Sequence, residues 1–152
     1  MDPGEELERR PYPPPRTGGG WPRAHAAGRR VLVVEDNPDT AETLREMLLM
    51  WNYEVEVAHD GRTGLEKARA FLPDVVLCDI GLPEMDGYAV ARAIRADPSL
   101  SGTYLVAVTG YALPEDRRRA AEAGFSRHLA KPVAVDVIEE VVSGAPSGPQ
   151  HW

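Results

Sequence analysis

Four apolar runs in this sequence each end abruptly in a polar side chain: "RVLVV" in Glu35-Asp36, "DVVLC" in Asp79, "YLVAV" in Thr109, and "RHLA" in Lys131-Pro132. Three carboxylates, a hydroxyl and an ammonium are thus set at the tips of segments built for burial. A carboxylate is a competent nucleophile toward phosphorus and yields an aspartyl phosphate. In-line phosphoryl transfer needs charge neutralisation more than further covalent help, which an ammonium and a hydroxyl donor supply. Crowded carboxylates repel one another and are settled by a cation placed among them. A hard divalent ion suits that position, because Mg²⁺ takes oxygen ligands, keeps several waters and uses only one or two protein carboxylates. Asp36 and Asp79, completed by the backbone carbonyl of Gly81, form such a set; Lys131 is the candidate ammonium and Thr109 the candidate hydroxyl.

These residues are far apart in the chain, so the fold must assemble them. "RVLVV" (30–34), "EVEVA" (54–58), "DVVLC" (74–78), "YLVAV" (104–108) and "RHLA" (127–130) read as five strands. The first, third and fourth lack polar alternation, as strands do in a parallel sheet covered on both faces. Between them run helical stripes: "PDTAETLREMLLMW" with apolar residues at Ala41, Leu44, Met47, Leu48 and Trp51, then "TGLEKARAFL", "GYAVARAIRA", "PEDRRRAAEA" and a short "AVDVIEEVVS". Five strand–helix pairs predict an α/β fold, a doubly wound five-stranded parallel sheet with helices on both faces and right-handed crossovers. In such a sheet all strand C-termini meet along one edge, where ligands bind. Glu35, Asp36, Asp79, Thr109 and Lys131 all fall on that edge.

Composition bounds the rest. The chain has 152 residues, 43% of them hydrophobic, which suits one domain with one core. Its 24 acidic and 17 basic side chains give a net charge of −7, which disfavours nucleic acid and anionic membrane as partners. Residues 1–28 hold six prolines and five glycines and read as a disordered lead-in, with "PYPPPR" most simply a linker. Their four acids and four arginines cancel, so the net charge resides on residues 29–152. The folded unit is expected over 29–143 and a flexible tail over 144–152, with Trp21 and Trp152 outside the core. One cysteine, Cys78, excludes an internal disulfide, and no apolar stretch reaches the ~20 residues a membrane helix needs. A cytoplasmic, soluble protein is the expectation.

The acidic pair in "VVEDN", the stretch "DVVLCDIGLPEMDG", "AVTGYA" and "GFSRHLAKPV", in this order and spacing, resemble the receiver (phosphoacceptor) domain of two-component response regulators over about Arg30 to Val142. The resemblance implies a flavodoxin-like strand order of 2-1-3-4-5. It also implies that Asp79 takes a phosphoryl group from a histidine kinase or histidine phosphotransfer protein. Glu35 and Asp36 then organise Mg²⁺, Thr109 and Lys131 contact the phosphoryl group, and Lys131-Pro132 is a cis peptide. In the family a switch couples the threonine to an aromatic three residues before the lysine; here that position is His128, smaller and chargeable, which points to a weaker or pH-sensitive switch. The face made by the fourth helix, fifth strand and fifth helix is the one receivers turn toward a downstream protein. The wording of "CDIGLPEMDGYAVARAIR" is most like receivers attached to hybrid kinases. No output module is expected after the last helix.

Several neighbours have plainer readings. Asp36 before "NPD", taken alone, is as readily a helix cap or loop acid. Asp39 suits a first helical turn, and Glu84 and Asp86 suit the turn "PEMDG", with Pro83 and Gly87 structural. Gly81 and Gly110 leave space beside the acceptor, Tyr111 is placed to restrict attacking water, and Cys78 is a small core hydrophobe. The arginines of "EDRRR" are most simply a wet helix face. Two rivals stand beside the signalling switch: an aspartate-nucleophile, Mg²⁺-dependent phosphohydrolase, and a receiver that binds without taking phosphate. The first needs a general acid two residues after the nucleophile, where this chain has Gly81.

Overall fold

The computed structural model describes residues 28–110 and 113–144. The lead-in through Ala27, Tyr111 and the tail from residue 145 lie outside the described residues. Strands β1 (Arg30–Val34), β2 (Glu54–Ala58), β3 (Val75–Asp79), β4 (Tyr104–Thr109) and β5 (Arg127–Ala130) alternate with helices α1 (Pro38–Met50), α2 (Gly61–Phe71), α3 (Gly87–Ala96), α4 (Pro114–Ala123) and α5 (Val135–Gly144). A 3-10 turn at Pro98–Leu100 precedes β4. The strands form one parallel sheet in the order β2-β1-β3-β4-β5, the flavodoxin-like arrangement.

Alternation along each strand divides the core in two, because successive side chains point to opposite faces. Val31, Val33, Val75, Leu77 and Val106 pack under α1 and α5 with Leu48, Trp51, Ile138 and Val142. Leu32, Val34, Val76, Cys78, Leu105 and Ala107 pack under α2, α3 and α4 with Leu65, Ile94, Ala120 and Phe125. The three central strands, buried on both faces, therefore have no room for polar alternation. The edge strand β2 keeps it, with Glu54 and Glu56 exposed.

Local chemistry fixes where the helices begin. Asn37, rather than Asp36, caps α1: its side chain accepts from the Thr40 N–H at 3.1 Å, and Pro38 opens the helix. Asp60 and Asp86 cap α2 and α3 by accepting from the Thr63 and Ala89 N–H groups. The Asp60 cap starts α2 at Gly61, two residues earlier than its apolar stripe suggests. β3 is shifted by one residue from the expected 74–78. Asp74 turns its carboxylate to the Arg30 N–H at 2.8 Å, while Asp79 pairs with Val108 as the last rung. Helix α4 ends at Gly124, whose φ of 113° lies in the left-handed region that glycine adopts freely. The Arg95 guanidinium binds this corner together, donating to the carbonyls of Gly124 (2.9 Å) and Thr103 (2.8 Å).

Candidate functional site

The C-terminal edge of the sheet brings the expected residues together. Glu35 follows β1, Asp79 ends β3, Thr109 ends β4 and Lys131 follows β5. Carboxylate oxygens of Glu35, Asp36 and Asp79 lie within 4.8 Å of one another. The Lys131 Nζ sits between two of them, donating to Glu35 Oε1 and to Asp79 Oδ2 at 3.2 Å each. Asp79 Oδ1 accepts the Gly81 N–H at 3.1 Å, and Glu35 Oε2 accepts the Asn37 N–H at 3.0 Å. Glu35 is 4% and Asp79 9% exposed, whereas Asp36 is exposed. The acceptor candidate is thus reachable only at its tip, and Asp36 faces solvent beside it.

Electrostatics bear on whether a cation suits the site. Burial raises the Glu35 carboxyl above its ordinary value and Asp79 adds to the rise, against the Asn37 N–H and Lys131, which oppose it. Burial draws the Lys131 pKa down, but Asp79 and Glu35 outweigh it and the net direction is upward. One ammonium therefore leaves part of the acidic charge uncompensated, and the donors are all oxygens. This set fits a hard divalent ion.

Thr109 is buried beside the Asp79 rung: Ile80 N–H donates to Val108 C=O at 3.2 Å, and Lys131 N–H to Thr109 C=O at 2.8 Å. The latter bond ties the lysine's backbone to β4. The Lys131-Pro132 bond is cis. His128 pairs with Ala107 and Ala130 with Thr109, so by alternation the His128 and Thr109 side chains share the α4 face of the sheet, two rungs apart. Both ring nitrogens of His128 are buried without a hydrogen-bond partner. The structure does not place the imidazole against Asp79; its charged neighbours are Asp116 and Arg117 on α4.

The loop after β3 is shaped by backbone contact. Gly87 N–H and Leu82 N–H both donate to Ile80 C=O at 2.9 Å, folding the chain back on Asp79. A Cβ on Gly87 would lie 2.7 Å from the Asp79 carbonyl oxygen, so only glycine fits there. Gly110 has open space around it and Gly81 nearly so, while Pro83 and Glu84 are exposed, Glu84 with a φ of 64°. Cys78 is buried, and burial, with Asp79 and Glu35 nearby, pushes its thiol far up, leaving a core hydrophobe. The α4 arginines Arg117, Arg118 and Arg119 are all exposed as expected, and Arg119 also lies over the Tyr88 ring at 4.4 Å, a contact that spacing alone could not reveal. A cleft of about 640 Å³ adjoins the site, running between α1 and α5 past Leu44, Met47 and Ile138, with Glu35 and Lys131 among its lining. Among the described residues no helix is long and apolar enough to cross a membrane.

Comparison with known proteins agrees with this geometry. Residues 31–143 match the model of the response regulator receiver domain. The chain is 31% identical to the polar-differentiation response regulator DivK of Brucella anthropi over 75% of its length and 93% of that protein. It is 38% identical to the response regulator PleD of Caulobacter vibrioides over 68% of its length but only 23% of PleD, so it spans less than a quarter of that relative. Among solved structures, the receiver domain of the sensor histidine kinase PA1611 from Pseudomonas aeruginosa PAO1, which carries a magnesium ion in its active-site cleft, superposes with a TM-score of 0.72. That pair shares 33% identity, covering 78% of this chain and 98% of the other. Receiver domains serve in phosphorelays as phosphoacceptors rather than as ordinary enzymes, with histidine kinases or phosphotransfer proteins as the general class of partner. From its strand order through its acid cluster to the matched span, this chain belongs to the response regulator receiver domain family.

Proposed function

We propose that the protein is a phosphorylation-driven signalling switch in which Asp79 takes a phosphoryl group from a phosphohistidine donor. The observation that carries this reading is Lys131 Nζ set 3.2 Å from the Asp79 carboxylate, with Glu35 and Asp36 grouped at the same sheet edge. An Asp79 oxygen attacks phosphorus, the donor's P–N bond breaks, and the imidazole leaves with the bonding pair. Lys131 then turns from Glu35 toward a phosphoryl oxygen, and the Thr109 hydroxyl donates to another. Asp36, Asp79 and the Gly81 carbonyl would hold Mg²⁺, with Glu35 organising Asp36. When bound, the ion supplies charge neutralisation for the transferring group. The magnesium ion in the cleft of the PA1611 receiver supports that assignment.

A phosphoryl group adds about −1.5 to −2 charge units at one point. For a signal to emerge, a two-state element must feel it. Thr109 and His128, on one face of the sheet, are that element in this reading, and the partner-binding face is α4, β5 and α5. In this reading the receiver unit spans 29–143, and the protein works in the cytoplasm on protein partners. No observation favours the phosphohydrolase, since Gly81 offers no acid at the required position.

Incubation with acetyl phosphate, with and without Mg²⁺, followed by intact mass, tests the proposal. A gain of one phosphoryl group that requires Mg²⁺ is expected. No gain would leave a binding-only receiver, and steady turnover of p-nitrophenyl phosphate would favour the hydrolase.

A further inference from the structure

Asp36 is the one member of the acid cluster that is exposed, and its carboxylate makes no hydrogen bond or ion pair among the described residues. No partner holds its rotamer, so what the fold controls is the direction of its Cα–Cβ bond, set by the backbone that carries it. On one side that backbone is held by the α1 cap, through Asn37. On the other side stands the Glu35–Asp36 peptide, whose carbonyl lies 3.0 Å from His59 Nδ1. A carbonyl only accepts, so Nδ1 carries the proton and donates.

This contact continues the sheet beyond its last rung. Glu35 N–H donates to Ala58 C=O at 2.9 Å, the final backbone link between β1 and the edge strand β2. His59, the residue just after β2, then returns the bond through its side chain, just before Asp60 turns the chain into α2. The ring thereby fixes the one carbonyl that would otherwise let the Asp36 Cα–Cβ bond swing.

We infer that His59 is a positioning residue for the cation site: by donating from Nδ1 to the Glu35 carbonyl it fixes the Asp36 Cα–Cβ bond where its carboxylate can reach a divalent ion. The inference rests on the reading of Asp36 as a magnesium ligand. Groups that orient metal ligands from outside the coordination sphere commonly change affinity by tenfold or more when removed.

Isothermal titration of the full chain with Mg²⁺ alone tests it, using wild type, His59→Ala, His59→Asn and His59→Gln. The amide nitrogen of asparagine occupies nearly the position of Nδ1, whereas that of glutamine lies one bond further out. Binding about tenfold weaker in His59→Ala is expected, with most of the affinity restored by asparagine and not by glutamine. His59 is exposed, so thermal unfolding without metal should be similar across the four proteins. Wild-type affinity in His59→Ala, or equal weakness in the asparagine and glutamine variants, would overturn the inference while leaving the metal site standing. Failure of the wild type itself to bind Mg²⁺ would instead remove the metal site, and His59's role with it.

Discussion

At the residue scale, the site turns on one ammonium shared by two carboxylates. The sequence made Asp36, Asp79, Thr109 and Lys131 legible, because each follows an apolar run and a parallel sheet can only bring such residues to one edge. It could not show that Glu35 Oε2 is spent on the Asn37 N–H, nor that His59 reaches the Glu35 carbonyl. The first is a local bond set by the Glu35 rotamer, and the second depends on the register between β1 and β2; periodicity reveals neither. Replacing Lys131 with methionine keeps much of the stem and removes the charge. The phosphorylation rate with acetyl phosphate should fall about 100-fold, the usual effect of deleting one aimed donor, as followed by intact mass over time. His128 makes a different prediction. Burial first, and Arg117 second, lower its pKa below the ordinary value, with Asp116 opposing. A lowered base binds fewer protons folded than unfolded, so its stabilising contribution is complete above the unfolded value of about 6.5. It is lost as the pH falls through the folded value. Urea unfolding from pH 8 to pH 5 should therefore show wild type losing stability relative to His128→Phe; parallel curves would show that the ring is not held neutral.

At the element scale, strand identity and helix placement followed from composition and spacing, whereas the ends were decided by caps and by close backbone approach. The β3 strand illustrates this: Asp74 looks equivalent to a strand residue in the sequence, yet its carboxylate engages Arg30 and leaves the last rung to Asp79. Asp79 is held by the ladder itself, paired with Val108, and not by the loop that follows. Gly87 shows the converse, a residue whose turn role was evident but whose contact with the acceptor peptide was not. Gly87→Ala must displace backbone atoms of Asp79 and Ile80. A loss of about 1–3 kcal/mol is expected, measured by urea unfolding, together with slower phosphorylation. Asp86→Ala removes only the α3 cap and should cost about 1 kcal/mol while leaving the phosphorylation rate nearly unchanged. Comparing the two separates loss of stability from displacement of the acceptor.

At the scale of the whole molecule, a net charge of −7 is carried by a fold that concentrates three of its acids at one point. Self-repulsion there disfavours the metal-free state, and a bound cation relieves it. Saturating Mg²⁺ should raise the Tm, since a ligand at 100 times its Kd adds about 2.7 kcal/mol. Asp36→Asn should unfold no earlier than wild type without metal, yet lose most of the Mg²⁺-dependent rise. The five-stranded parallel sheet and two-faced core were legible from the strand pattern, and the strand order from the resemblance to receiver domains. The α1–α5 cleft was not, because it arises where two helices far apart in sequence fail to meet over Leu77 and Val108. The expectations for phosphoryl transfer descend from Asp79 as the phosphoacceptor. Treatment of the acetyl-phosphate-reacted protein with borohydride, which reduces an aspartyl phosphate to homoserine, followed by peptide mass mapping, tests that directly. Conversion at position 79 alone is the expected result; conversion at Glu35 or Asp36, or none at all in the presence of Mg²⁺, would contradict it.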